Sequence, residues 1–78
     1  MPELTLRAAR TNLGLSQKEA ANRIGISVET LGNYERGKSY PDIPVLRAIE
    51  REYGLPYKDI IFLPSDYPLR VEAGRNNT

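Results

Sequence analysis

The stretch from Leu15 to Gly37, LSQKEAANRIGISVETLGNYERG, constrains this chain more than any other, because its punctuation specifies two short helices separated by a glycine turn. Ser16 precedes a run of good helix formers and has Glu19 three residues later. At that spacing a serine and a glutamate cap each other's backbone N–H groups. Gly25 falls where a helix ends on a left-handed residue, and Ser27 follows as the cap of the next helix. Gly37 closes that second helix in the same way. A helix pair joined by so short a turn is a device for presenting one helix to the major groove of DNA.

The rest of the chain reads as three more helices and a tail. Thr5 to Leu13 forms the first helix, with Leu6, Ala9 and Leu13 at helical spacing and Gly14 as its stop. The second runs from about Gln17 to Ile24 and the third from about Val28 to Arg36. Asp42 caps a fourth, and Pro44 is tolerated in its first turn. Val45, Leu46, Ile49 and Tyr53 make its apolar stripe, and Gly54 ends it. Pro56 to about Phe62 is expected as a short fifth helix carrying Ile60 and Ile61. PSDYPLRVEAGRNNT is turn-rich and polar. The expected organisation is therefore one domain over residues 1–63 and a tail over 64–78 that is associated with a dimer.

At 78 residues the chain is near the lower size at which one core sustains a fold. It has no cysteine and no histidine, which excludes disulfides and removes the commonest metal ligands. No nucleophile–base pairing appears, so neither an enzyme nor a cofactor is expected. No apolar run approaches the ~20 residues that span a bilayer. The amino terminus, MPELTLRAAR, lacks the apolar centre of a signal peptide, and a reducing cytoplasm is the expected location. The net charge of +1 does not point to nucleic acid by itself. Residues 1–40 hold six Lys or Arg against four Glu, a basic skew that permits a DNA-facing amino-terminal half without requiring it.

The residues Gly14, Gln17, Ala21, Gly25, Leu31, Glu35, Gly37 and Pro41 carry a resemblance to the phage repressor and Cro type of helix-turn-helix domain. The pattern L-S-Q-x-E-x-A-x-x-x-G, then S-x-x-T-L, then Y-E-x-G, covers this resemblance over residues 5 to 62. It implies an all-α, lambda-repressor-like, five-helix bundle and a sequence-specific transcriptional regulator, of repressor type, that binds double-stranded DNA. It also implies a homodimer reading half-sites about 34 Å apart. In that family the residue at the place of Gln17 touches the DNA backbone and supports the recognition helix. The family also carries an Arg–Glu pair at the places of Arg10 and Glu35. Ala20 departs from the larger aliphatic usual there, which implies local repacking.

A helical wheel of the third helix, advanced about 100° per residue, sorts its residues into two groups. Thr30, Leu31, Tyr34 and Glu35 lie on the side that must be buried, whereas Val28, Glu29, Gly32, Asn33 and Arg36 face outward. Asn33 is suited to adenine, Glu29 to the amino group of cytosine and Val28 to a thymine methyl. The alternative is that these are ordinary solvated helix residues. Gly32 either lets the backbone approach DNA closely or occupies a position under no steric demand. Ser16, Gln17, Ser27, Thr30, Arg36 and Lys38 are candidates for phosphate contacts, which position a protein without naming a sequence. Glu35, at the core-side edge, needs a partner, and Arg10 is the obvious one. The alternative role for Arg10 is a phosphate contact.

Leu6, Leu13, Leu15, Ile24, Ile26, Leu31, Tyr34, Leu46, Ile49 and Leu55 are the expected core. Tyr57, Ile60, Ile61, Phe62, Leu63, Tyr67 and Leu69 are the candidates for self-association. No membrane partner or small-molecule effector is expected. The competing reading is an antitoxin-like or adaptor module that uses the same helices to bind a partner chain.

Overall fold

Four cap residues place the helices. Thr5, Ser16, Ser27 and Asp42 each accept the backbone N–H three residues ahead, at 3.0–3.1 Å. From these caps run α1 (Leu6–Asn12), α2 (Gln17–Ile24), α3 (Val28–Arg36) and α4 (Ile43–Tyr53). The structure, a computed structural model, describes residues 4–62. The 64–78 tail and the candidate dimer residues Leu63, Tyr67 and Leu69 lie outside the described residues.

The Ser16–Glu19 capping box is complete, since Ser16 N–H donates back to Glu19 Oε1 at 2.9 Å. Hydrogen bonds from the Ser16 backbone and hydroxyl hold the Glu19 carboxyl below its ordinary range. Gly25 turns the chain between α2 and α3 at φ +92°, a left-handed conformation that a Cβ would strain.

The expected fifth helix does not form. A single 3-10 turn at Tyr57–Asp59 leads into β2 (Ile60–Ile61). This strand pairs in parallel with β1 (Leu4–Thr5), Leu4 opposite Ile60 and Thr5 opposite Ile61. Two adjacent β-branched side chains favour extended backbone. A segment this short does not sustain a helix without strong tertiary support, and here that support favours the strand. The described chain is thus four α-helices carrying a helix-turn-helix, closed at one end by a two-stranded ladder.

One cluster of buried side chains joins all four helices, with Leu6, Leu31 and Ile49 as its largest fully buried members. Ala20 and Ala21 are both buried, and this lets α2 pack closely on α3 and α4. Ala48, Tyr53 and Ile60 complete the cluster, whereas Ile26 and Leu55 pack on it half-buried. Leu13 is not in the core. Helix α1 ends at Asn12, and Leu13 stands 48% exposed on the turn that follows. Ile60 also departs from expectation: it is buried against α1 and β1, and so is not available to a second chain.

The Tyr53 hydroxyl is buried without a hydrogen-bond partner among the described residues. Burial, and secondarily the charge of Glu35, pushes its pKa up to about 12. A pKa raised on folding means that stability is intact below the ordinary value of 10.0 and is lost as pH rises toward 12. Tyr53→Phe is expected to leave stability at neutral pH unchanged or higher by about 1 kcal/mol, because an unsatisfied hydroxyl is removed. The same variant shortens the alkaline loss, leaving Tyr34, whose pKa burial also raises. Thermal melts across alkaline pH read both effects.

Candidate nucleic-acid interface

The amino-terminal face of α3 is open. Val28 is 42% exposed, Glu29 is exposed and Asn33 is half-buried at the surface. On the opposite face Leu31, Tyr34 and Glu35 are buried. Ser27 caps the helix and also donates its hydroxyl to Thr30 Oγ1 at 2.8 Å, so the two side chains form one unit at its start. At the other end, Lys38 is exposed just beyond Gly37, where its N–H donates to the Asn33 carbonyl at 2.9 Å.

A buried ion pair holds α3 in place. Arg10 Nε donates to Glu35 Oε2 at 2.6 Å and Nη2 to Oε1 at 3.2 Å, a bidentate pair between α1 and α3. Arg10 Nη1 donates to the Leu15 carbonyl at 2.9 Å, tying in the turn before α2. The hydrogen bond to Glu35 raises the Arg10 pKa still further above its ordinary range. Arg10 is 9% exposed and Glu35 7%, so this guanidinium is committed to the protein interior rather than to a phosphate.

Gln17 belongs to the same network: its Nε2 donates to Glu35 Oε1 at 2.9 Å. The first residue of α2 is therefore fixed against the recognition-helix candidate through a buried carboxylate. The Gln17 and Lys18 N–H groups sit at the open amino end of α2, where backbone donors and the helix dipole favour an anion. Ser16 stands exposed beside them, its hydroxyl engaged by Glu19 N–H.

Gly32 is not where the wheel puts it. It is buried rather than outward-facing, and a Cβ there would meet Arg36 Nη1 at 3.2 Å and Gln17 Nε2 at 3.8 Å. Two long side chains cover it, one from its own helix and one from α2. The wheel misplaces it because it counts angles around one helix and cannot see a neighbour's side chain folded across.

A family model for helix-turn-helix domains matches residues 6–60. The chain belongs to the helix-turn-helix family of Cro and phage-repressor type. Three relatives illustrate its reach. An uncharacterised helix-turn-helix-type transcriptional regulator of Methanothermobacter thermautotrophicus is 33% identical over 58 residues, spanning 74% of this chain and 84% of the relative. The cryptic phage CTXphi transcriptional repressor RstR of Vibrio cholerae is 30% identical over 56 residues, 72% of this chain and 50% of that one. An endothelial differentiation-related factor 1 homolog of Danio rerio is 38% identical over 50 residues, 64% of this chain and 34% of its own length.

In this helix-turn-helix protein the expected DNA-facing residues all fall on α2, α3 and the residues flanking them. Val28, Glu29, Asn33 and Arg36 lie along α3, Ser27 and Thr30 at its start, Ser16 and Gln17 at the start of α2, and Lys38 beyond Gly37. Two pairings escaped the sequence. The Gln17–Glu35 bond spans 18 residues and leaves no local trace. The bond from Arg36 Nη2 to Asn33 Oδ1, 2.7 Å long, was legible in principle from the three-residue spacing on a helix. Among the described residues no helix is long and apolar enough to cross a membrane.

Proposed function

We propose that this protein binds a specific duplex sequence by laying α3 in the major groove, with Val28, Glu29 and Asn33 against base edges. Membership of the family carries the coarser function, DNA binding in transcription regulation of the repressor type. The observation that carries the finer reading is the open amino-terminal face of α3, held rigidly by the Arg10–Glu35–Gln17 network. Ser16, Gln17, Ser27, Thr30, Arg36 and Lys38 supply the phosphate-facing rim. One module of this size offers few base contacts, so the protein acts as a homodimer on half-sites about one helical turn apart. The exposed apolar side chains of Ile43, Tyr57 and Ile61 support that assembly.

Selection of bound duplexes from random DNA tests the reading. Two inverted copies of one half-site, centred about 34 Å apart, are expected. Affinity falls steeply between about 50 and 200 mM salt as counterions are released. Asn33→Ala relaxes the preference at one position, whereas Lys38→Ala weakens all duplexes about equally and lowers the salt slope by about 1. A protein that enriches no motif, or whose variants bind every duplex as the parent does, does not place α3 in the groove.

A further inference from the structure

Arg36 and Asn33 form a small unit at the surface of α3, laid over the buried Gly32. Arg36 reaches back along the helix and donates from Nη2 to Asn33 Oδ1 at 2.7 Å. Its Nη1 lies where a Cβ on residue 32 would come within 3.2 Å, closer than ordinary van der Waals contact, so the glycine makes room for this placement. The Gln17 amide borders the same spot at 3.8 Å. Gln17 is itself held by Glu35, which limits where the guanidinium can go.

A guanidinium carries donors only, so its bond to Asn33 must engage the amide oxygen. The Asn33 carbonyl is thereby turned to Arg36 and its NH2 group turned away. A free asparagine pairs with adenine because it donates to N7 and accepts from the N6 amino group. In this unit one of the two lone pairs of Oδ1 is taken by Arg36, and the N6 amino group of adenine would have to approach the other beside a positive charge, which disfavours it. The Asn33 NH2 group beside the Arg36 cation makes an edge that is rich in donors and positive in potential. Guanine offers N7 and O6 in the major groove, both acceptors, and is the base complementary to such an edge.

We propose that Arg36 is a specificity-determining residue acting through Asn33: it holds the amide carbonyl, Gly32 gives it the space to do so, and Asn33 reads guanine in place of adenine. This rests on the reading that α3 enters the major groove.

Site selection from random duplexes with the parent, Asn33→Ala, Arg36→Met and Gly32→Ala tests it, followed by titration of defined duplexes carrying guanine or adenine at the affected position. The parent is expected to prefer guanine at one position of each half-site, by about 5- to 150-fold, the range a good base contact provides. Asn33→Ala abolishes the preference at that position alone. Arg36→Met moves it to adenine, since the amide oxygen is freed of the adjacent cation and of its fixed orientation. Gly32→Ala leaves Arg36 chemically intact but crowds Nη1, and moves the preference in the same direction. Melting curves establish that each variant is folded, and a switch of base identity is not a result that loss of stability produces. A parent that prefers adenine at that position, or an Arg36→Met protein that keeps guanine there, overturns the proposal and leaves the groove-binding reading intact. A parent that selects no motif removes both.

Discussion

Glu35→Ala is expected to cost about 3–5 kcal/mol of folding stability, the range for stranding one charge of a buried pair. That is a large share of the about 5–15 kcal/mol that holds a natural domain together. The cause is specific. Arg10 is 9% exposed and places Nε and Nη2 on the Glu35 carboxylate at 2.6 and 3.2 Å. Without Glu35, the Leu15 carbonyl is the one acceptor left among the described residues for a guanidinium that has already lost its water. Gln17 Nε2 loses its partner in the same step, and the start of α2 is released from α3. The double variant Arg10→Met with Glu35→Leu is expected to recover most of the loss, because two apolar groups of similar volume incur no charge desolvation. Urea unfolding followed by far-UV circular dichroism, run as a double-mutant cycle, measures both. A single variant within about 1 kcal/mol of the parent would mean that the pair behaves as a solvated surface bridge.

Leu31→Ala acts on the same helix by a different route. Leu31 is 0% exposed and is one of the largest fully buried side chains. Its truncation removes contacts at the seam where α3 packs on α2, and the surrounding helices close the space only in part. The expected loss is about 2–5 kcal/mol. Its effect on DNA should be indirect, because Leu31 is on the face of α3 away from the open strip. Apparent affinity falls by the folded fraction, and base preference at every position stays as in the parent. Asn33→Ala is the mirror image, with stability nearly unchanged and preference altered at one position. Measuring unfolding and base preference on both variants separates the face that holds α3 from the face that reads. A Leu31→Ala protein that is fully folded but has a changed base preference would contradict that division.

The helix-turn-helix was readable because its signals act over three or four residues. Ser16 and Glu19, Ser27, and Gly25 are each interpreted by backbone groups within one turn, and all appear in the structure in the roles their spacing assigns. The Arg10–Glu35 pair spans 25 residues, yet two features of the sequence point to it. One is the cost of a carboxylate left at the core edge, and the other is the resemblance to the repressor family. The resemblance gives Gln17 a supporting role toward the recognition helix, but that it acts through the Glu35 carboxylate is visible only in three dimensions.

Local pattern thus determined where the four helices lie, to within a residue at the end of α1, and which face of α3 carries Leu31 and Tyr34, because capping and helical periodicity are short-range effects. Tertiary structure alone decided two further matters. Ile60 and Ile61 became a strand because Leu4 and Thr5, more than fifty residues earlier, offer a parallel edge. Gly32 became a buried floor beneath Arg36 and Gln17 because a side chain from another helix is fixed beside it by a buried carboxylate. Both depend on which distant residues meet, and meeting is settled by how the core closes.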